Sequence, residues 1–167
     1  AQLARTAKSI LDPFLRGCVA EGIEYRGILY PGIMLTPEGA KVLEFNARFG
    51  DPETQVYLTR LESDLVELLD ASVSGNLGTA ELKWSPQASV CVVMASGGYP
   101  GSYVKGKPIL GLDQAAMLPM VKVFHAGTAR AGEQIVTNGG RVLGVTALGQ
   151  DLKAAQAAAY AAVEKIH

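Results

Sequence analysis

The segment Lys41-Val-Leu-Glu-Phe-Asn-Ala-Arg-Phe-Gly-Asp-Pro-Glu-Thr-Gln55 decides the fold, because it predicts a β-strand, a charged turn and a helix in succession. Within residues 41–46, Glu44 and Asn46 alternate with apolar neighbours, and side chains two apart on a strand point to the same face. Oxygen ligands on one face can bind a hard cation such as Mg²⁺. Arg48 follows with the same parity, and a cation beside a metal site predicts a bound phosphate or carboxylate. The segment therefore favours a metal-dependent enzyme that uses ATP.

Each of these residues also has a purely structural explanation. A Glu-x-Asn pair is common on the solvent face of an amphipathic strand. Arg48 could form a structural salt bridge. Asp51 and Pro52 form an ordinary helix start, with Asp as the N-cap and Pro as the first helical residue. Glu53 could simply favour the dipole of that helix. The segment alone leaves these alternatives open.

Five further segments accompany Arg48-Phe-Gly-Asp-Pro-Glu-Thr-Gln55 in collinear order: Tyr25–Met34, Ser63–Leu68, Ala95–Gly101, Val123–Thr128 and Val136–Val142. Together they resemble the glycinamide ribonucleotide synthetases, also called phosphoribosylamine–glycine ligases, which belong to the ATP-grasp superfamily. The resemblance covers nearly the entire chain. Other ATP-grasp ligases share Glu-x-Asn-x-Arg but lack the Gly-Asp-Pro-Glu-Thr-Gln continuation, which argues against a different ligase of the superfamily.

The resemblance implies an enzyme of de novo purine biosynthesis. In the family reaction ATP converts glycine to glycyl phosphate, and 5-phosphoribosylamine displaces the phosphate to give glycinamide ribonucleotide, ADP and phosphate. The resemblance also implies that Glu44 and Asn46 bind Mg²⁺ or Mn²⁺ and that Arg48 is catalytic, steadying the transferred phosphoryl group or the glycine carboxylate. Asp51 and Glu53 are candidate substrate-binding residues. The helix after Asp51 could hold an anion, and Glu53 could orient the amine or the ribose.

Gly97 and Gly98 are also candidate substrate-binding residues, because they lie in a glycine-rich loop after an apolar strand. A phosphate cradle is one interpretation, but the Lys or following helix of nucleotide-gripping loops is missing. We expect instead a loop that packs against the ATP-grasp module and lines the substrate cleft. Many ATP-grasp enzymes supply a second metal-binding acid from the strand before the Glu-x-Asn strand. Residues 27–31 contain no carboxylate, so the metal would depend on Glu44, Asn46, phosphate oxygens and water.

Composition limits the other classes of function. The 167 residues are 49% hydrophobic and carry a net charge of −1, which argues against a nucleic-acid partner. No apolar run reaches the roughly 18–20 residues that span a bilayer, so we expect no membrane segment. The two cysteines, Cys18 and Cys91, lack metal-like spacing and are expected to be buried free thiols of a cytoplasmic protein.

The predicted fold class is α+β: the C-terminal part of an ATP-grasp module in residues 1–82, with an antiparallel sheet and helices, then a small, mostly β domain in residues 83–167 closed by a C-terminal helix. For the first domain we predict a helix opening at Asp12-Pro13 and ending near Gly22, a strand in residues 27–35, a turn at 36–39, a strand in residues 41–46, a helix from Pro52 to about Leu61, and a helix capped by Ser63. For the second domain we predict strands in residues 88–95, 121–125, 134–137 and 141–148, a hairpin turn at Asn138-Gly139, and a terminal helix capped by Asp151.

The sequence begins without Met in what looks like the middle of a helix, so we expect a C-terminal portion of a longer enzyme. ATP-grasp catalysis clamps the nucleotide between two lobes, and the residues of the other lobe would lie upstream. A site without its second wall cannot exclude water or hold reactants in line. We therefore predict that residues 1–167 alone are inactive. As isolated, the chain could be a non-catalytic folded module.

Overall fold

The structure, a computed structural model, describes residues 2–167, excluding the side chains of Gln2, Leu3 and Arg5. It mixes helices with antiparallel sheets, which confirms the predicted α+β class. Within the described residues the elements follow the order α1 (Gln2–Ala20), β1 (Tyr30–Thr36), β2 (Gly39–Asn46), α2 (Glu53–Arg60), α3 (Leu65–Val73), a 3-10 turn (Leu77–Thr79), β3 (Ala88–Ala95), α4 (Leu112–Ala116), β4 (Val121–His125), β5 (Thr128–Ala131), β6 (Gln134–Thr137), β7 (Arg141–Gly149) and α5 (Leu152–Val163). No helix in this range is both long and apolar enough to cross a membrane.

The chain divides into two compact units. The first contains the described part of residues 1–50 together with 64–81, and the second contains residues 51–63 together with 82–167. Helix α2 therefore belongs to the second unit, although it precedes α3 of the first unit in the chain. The domain boundary between residues 82 and 83 stays a prediction about how the sequence is organised.

The first unit contains the predicted hairpin. Strands β1 and β2 pair antiparallel, with Glu44 opposite Gly32 and a bulge between Gly32 and Ile33. The turn is closed by Thr36, whose hydroxyl donates to the carbonyl oxygen of Gly39 at 2.8 Å. Gly39 has φ +114°, a backbone conformation that L side chains rarely adopt. The turn and both strands are thus confirmed, with the first strand beginning at Tyr30.

Helix α1 corrects the predicted helix start. It runs through Pro13 from Gln2, instead of beginning at Asp12-Pro13, and it ends near the predicted residue. A proline inside a helix removes the bond to the carbonyl four residues earlier, here that of Ser9. Ser9 and Pro13 are both exposed, so water can satisfy that carbonyl and the helix continues past the proline.

Few side chains of the first unit are buried. Among the described side chains, Ile10 is the one buried hydrophobic residue of this unit, with 7% of its surface exposed. The Phe14 ring packs against Phe45 and Tyr25, with centroids 5.0 and 5.4 Å away. Several large apolar side chains stay exposed on the helix and the hairpin: Leu15, Val19, Met34, Leu35 and Leu43. This unit therefore shields little apolar surface by itself.

The second unit is organised around β7. The sheet order is β3-β7-β4, so the last strand in sequence lies in the centre, with antiparallel neighbours on both sides. Residues 142–147 of β7 are buried without a break, as expected for a strand covered on both faces. On one face α5 packs its small side chains: Ala155, Ala159 and Ala162 are fully buried. The apolar core of Leu143, Val145, Ala162 and Ile166 forms there.

Helix α2 covers the sheet with a more polar contact. The Thr59 hydroxyl lies 2.9 Å from that of Ser89 on β3. Gln55 lies near Gly144 of β7, where a Cβ would be 3.8 Å from the Gln55 Cγ and 3.2 Å from the Cys91 sulfur. The small residue at 144 thus allows α2 to approach the sheet closely. Helix α2 itself agrees with the predicted range.

The helix caps are only partly as predicted. Asp151 caps α5, with its carboxylate accepting from the Ala154 amide at 2.7 Å, as expected. Ser63 does not cap α3; the N-cap is Asp64, whose carboxylate accepts from Val66 and Glu67. The Ser63 hydroxyl instead accepts from the Lys83 amide at 2.7 Å. The Ser63 hydroxyl therefore binds a residue distant in sequence instead of the first turn of α3.

The predicted hairpin at Asn138-Gly139 is wrong. Strand β6 pairs with β5, whereas β7 pairs with β3 and β4, so the turn passes from one sheet to another. Neither residue has the positive φ that a tight hairpin turn needs. The Asn138 amide donates to the Gly127 carbonyl at 2.7 Å, and the Gly139 carbonyl accepts from the Ser96 hydroxyl at 2.7 Å. Contacts distant in sequence therefore fix this turn.

Candidate metal and substrate site

The predicted metal ligands lie together on β2 of the first unit. The Asn46 amide nitrogen donates to Glu44 Oε1 at 3.0 Å, so both side chains project from the same face of the strand. Glu44 is exposed and Asn46 is half-buried. Gly32, opposite Glu44, has no side chain, and a Cβ there would lie 3.1 Å from the Glu44 Cγ. The small residue on β1 leaves room beside the carboxylate.

This pair fits a hard divalent cation. A carboxylate and an amide provide oxygen ligands, and Mg²⁺ in phosphate-transferring sites typically takes only one or two protein ligands beside phosphate and water. Rotating the Asn46 amide exchanges its nitrogen and oxygen, which would turn Oδ1 toward the same ion as Glu44 Oε1. No cluster of three His, Cys, Asp or Glu side chains occurs among the described residues, so an all-protein cage is not present there.

Arg48 follows the end of β2 and is exposed. Its guanidinium donates to the carbonyl of the adjacent Phe49 at 3.1 Å. The structural salt bridge considered for Arg48 is not found with any described residue. Most of its five donors are therefore not used by the described part of the chain, and a phosphate or carboxylate could accept from them.

Asp51, the first predicted substrate-binding residue, is not an N-cap. Helix α2 begins at Glu53, its cap position is Pro52, and no side chain caps it. The Asp51 carboxylate instead accepts from Gln55 Nε2 at 2.9 Å, and its other oxygen lies 3.5 Å from Arg141 Nη2. The peptide bond between Asp51 and Pro52 is cis.

Glu53 occupies the first turn of α2 and is half-buried. A carboxylate there interacts favourably with the helix dipole, which agrees with the simpler of its two explanations. Its spacing from Asp51 places two carboxylates at one turn of the second unit. Such a turn can attract an amine.

Gly97 and Gly98 lie in the loop after β3, also in the second unit. Gly98 has φ +102°, and a Cβ there would lie 2.2 Å from the Ser102 carbonyl oxygen, so glycine is required by the loop itself. Gly97 has open space around it and lines a cavity of about 210 Å³ whose walls are mostly apolar, including Met94, Ile109 and Val142. Lys107, Thr137 and His167 also line this cavity, so polar groups stand beside the apolar wall.

The thiol of Cys91 lies on the α2 face of the sheet. Burial raises the pKa of this thiol above its ordinary value, and the negative charge of Asp51 adds to the shift. Cys18 and Cys91 are both free, as predicted, although both are only half-buried. A raised pKa lowers the thiolate fraction of Cys91, and the thiolate is the nucleophilic form.

Two residues of this arrangement escaped the sequence analysis. Arg141 and Gln55 both hold Asp51, and Arg141 is separated from it by 90 residues in the chain. Gln55 was quoted only as the end of a motif; its spacing of four from Asp51 could have indicated a contact across one helical turn. Arg141 lies in the quoted segment Val136–Val142, but no spacing in the sequence indicates its contact with Asp51, because that contact depends on the tertiary fold.

The sequence patterns of two domains of one protein family match the chain. The ATP-grasp (A) domain of phosphoribosylglycinamide synthetase matches residues 1–54, and the C domain of the same family matches residues 89–167. The first match places the amino-terminal part of the chain among the ATP-grasp domains. Both matches are collinear and together take in most of the sequence, and the chain belongs to the phosphoribosylglycinamide synthetase family. The predicted resemblance is thereby confirmed.

Similar proteins carry consistent names. The chain is 52% identical over 164 residues to a phosphoribosylamine–glycine ligase of Vibrio cholerae, which covers 98% of the chain and 38% of that protein. A ligase of the same name from Rhodopirellula baltica is 51% identical over 165 residues, again 98% of the chain and 38% of the relative. The crystal structure of a phosphoribosylamine–glycine ligase from Thermotoga maritima superimposes with a TM-score of 0.83 at 35% identity, over 98% of this chain and 40% of that one. The chain thus spans about two fifths of the length of these relatives.

Proposed function

We propose that this chain is the C-terminal portion of an ATP-dependent ligase that joins glycine to 5-phosphoribosylamine, giving glycinamide ribonucleotide, ADP and phosphate in purine biosynthesis. The observation that carries the proposal is identity of about half over nearly the whole chain with proteins named phosphoribosylamine–glycine ligase. The exposed Glu44–Asn46 pair adds support from the chain itself. We place the longer enzyme in the cytoplasm.

Glu44 and Asn46 would hold the divalent cation, Mg²⁺ or Mn²⁺, through one oxygen each. When bound, such an ion neutralises charge on the phosphates of ATP during phosphoryl transfer. The two side chains contribute orientation, because they are already in contact on one strand face at 3.0 Å. Glu44 also contributes the negative charge that attracts the ion.

Arg48 would hold the transferred phosphoryl group or the glycine carboxylate. Its position just after β2, two residues from Asn46, suits an anion that also approaches the metal ligands. In phosphoryl transfer the protein supplies positioning and charge stabilisation, and little covalent chemistry. A planar guanidinium can take two oxygens of one anion at once.

The turn at Asp51 and Glu53 would bind an amine substrate in the second unit, and the loop of Gly97 and Gly98 would support the substrate site. Both carboxylates can accept hydrogen bonds from an amine or from ribose hydroxyls. In the family reaction the amine of phosphoribosylamine attacks the glycyl carbonyl, so its orientation controls the second half of the reaction.

The chain by itself is expected to be inactive. Its first unit leaves apolar side chains such as Leu15, Met34 and Leu43 exposed, which is consistent with a module that requires more chain to cover it. Reactants that are not enclosed remain open to water and are not held in line.

The experiment is an assay of ADP formation by the full-length protein with ATP, a divalent cation, glycine and phosphoribosylamine generated in the assay. We expect ADP formation that requires both glycine and phosphoribosylamine, together with a product that has the mass of glycinamide ribonucleotide. Residues 1–167 alone should give no ADP above a control without enzyme. ADP formation by the full-length protein that does not depend on glycine would overturn the proposal, and activity of the fragment would overturn its predicted inactivity.

A further inference from the structure

Arg141 contacts Asp51 at two points. Its Nη1 donates to the Asp51 backbone carbonyl at 2.7 Å, and its Nη2 lies 3.5 Å from the Asp51 carboxylate oxygen Oδ2. Gln55 Nε2 donates to the other carboxylate oxygen at 2.9 Å. The backbone and both carboxylate oxygens of Asp51 are thus held from two directions, which leaves the side chain one orientation.

The backbone that carries Arg141 is itself fixed. The Gly140 carbonyl accepts from the Ser96 amide at 2.7 Å, the Gly139 carbonyl accepts from the Ser96 hydroxyl at 2.7 Å, and the Arg141 carbonyl accepts from the Gly127 amide at 2.8 Å. Gly127 and Gly139 approach so closely that a Cβ on Gly127 would lie 2.6 Å from the Gly139 Cα. Arg141 therefore extends from a rigid support toward Asp51.

Stability does not explain this arrangement. The side chains of Arg141 and Asp51 are 43% and 54% exposed. Exposed ion pairs contribute little to stability, because water screens them and ordering two side chains costs entropy. What the two contacts provide is direction: the planar guanidinium reaches the Asp51 backbone carbonyl with one nitrogen and the carboxylate with the other, which limits how these two groups can turn relative to each other.

We propose that Arg141 is a positioning residue, which sets the orientation of Asp51 and of the Asp51–Pro52 turn for an amine substrate. The inference rests on the proposed function, since it assumes that Asp51 contacts the substrate. It adds a residue from the far end of the chain to that site and assigns a role to the turn at residues 138–140. That turn supports the arginine.

The test uses the full-length protein and a double-mutant cycle of Arg141→Gln and Asp51→Asn. Each single change should lower kcat/KM for glycine or for phosphoribosylamine about tenfold or more, while KM for ATP stays unchanged. The kcat/KM of the double variant should be at most about threefold below that of the less active single variant, because both changes remove the same arrangement. Arg141→Lys, which keeps the charge but not the fork, should fall between wild type and Arg141→Gln.

Arg130→Gln is the matched control, because Arg130 is an exposed arginine on β5 and its loss changes the net charge equally. It should retain activity within about twofold. Hydrogen exchange gives a readout that needs no catalysis: amides of residues 51–60 should exchange at least about threefold faster in Arg141→Gln, with β3 unchanged. Since Arg141→Lys keeps the charge, it serves as the test variant if Arg141→Gln does not fold.

The outcomes separate the two proposals. The wild-type protein could fail to form ADP in a glycine-dependent reaction while hydrogen exchange still differs between wild type and Arg141→Gln. That result would overturn the proposed function and with it the substrate role of Asp51. An active wild type in which Arg141→Gln and Arg130→Gln behave alike would overturn the role of Arg141 alone. A loss of kcat/KM in the double variant equal to the product of the two single losses would also overturn the role of Arg141, because it would mean that the two residues act independently.

Discussion

The Tyr99 ring lies directly against Gly140. A Cβ on Gly140 would be 2.1 Å from Cδ2 of Tyr99 and 2.5 Å from its Cε2. Tyr99 belongs to the glycine-rich loop after β3, and Gly140 precedes the first residue of β7. This contact joins the loop to the turn that supports Arg141.

Gly140→Ala should therefore destabilise the fold by about 1–3 kcal/mol, a typical cost of inserting a methyl group into an occupied space. Tyr99 is 45% exposed, so its ring can move outward and limit the loss. The measurement is urea denaturation of the 167-residue chain. Gly97→Ala is the control, since nothing lies within 4 Å of a Cβ there and its φ is not positive; its change should stay within about 0.5 kcal/mol. Equal midpoints for the two variants would contradict the close contact.

Leu143→Ala should cost about 2–5 kcal/mol, because Leu143 is 1% exposed in the centre of the core and its truncation leaves a cavity. Leu152→Ala makes the same chemical change at a position that is 68% exposed, and should cost less than about 1 kcal/mol. Both values come from chemical denaturation of the same chain. A similar cost at both positions would mean that the core does not lie between β7 and α5.

Glu44→Gln should abolish turnover in the full-length enzyme, because it removes the charged ligand of the proposed metal site while keeping the size of the side chain. Glu44 is exposed, so the unfolding midpoint should stay close to that of the wild type. Steady-state ADP formation and thermal denaturation measure the two effects. Glu38→Gln, at the turn of the same hairpin, is the control and should keep its activity. Substantial turnover by Glu44→Gln would place the metal elsewhere.

Cys91 should resist alkylation as long as the second unit is folded. Its raised pKa lowers the thiolate fraction at any given pH, and the thiolate is the reacting form. The rate of modification by iodoacetamide, followed by peptide mass spectrometry, should rise with pH at a higher midpoint than in the same protein in urea. Because the pKa is raised in the folded state, Cys91 contributes to the free energy of unfolding below the pKa of the unfolded thiol. This contribution is lost as the pH rises through the folded pKa. Coinciding midpoints in the two states would argue against burial as the cause.

Local patterns were sufficient for much of the fold. Alternation predicted β2, the turn residues of 36–39 predicted the hairpin, and Asp151 predicted the start of α5, because each depends on residues within a few positions. The same alternation placed Glu44 and Asn46 on one face, and their side chains are in contact. Their role as metal ligands remains a prediction.

The errors arose where a distant partner competed with a local one. Ser63 and Asp64 are both suitable caps, and the Ser63 hydroxyl is engaged by the Lys83 amide. Asp51 has the local pattern of an N-cap, but its carboxylate is held by Arg141 and Gln55. Asn138-Gly139 has the composition of a hairpin turn, yet its hydrogen bonds go to Gly127 and Ser96. Apart from Gln55, which lies four residues after Asp51, none of these partners can be inferred from spacing in the sequence.

The position of β7 has a consequence for how the protein is made. The strands that it joins, β3 and β4, leave the ribosome first, and neither has another strand of that sheet to pair with. Until residues 141–149 emerge, the apolar side chains of β3 remain without their neighbours, and contacts this far apart in the chain form slowly. The sheet of the second unit therefore cannot form until residues 141–149 have been translated, and a ribosome that stalls before β7 would release a chain prone to aggregation.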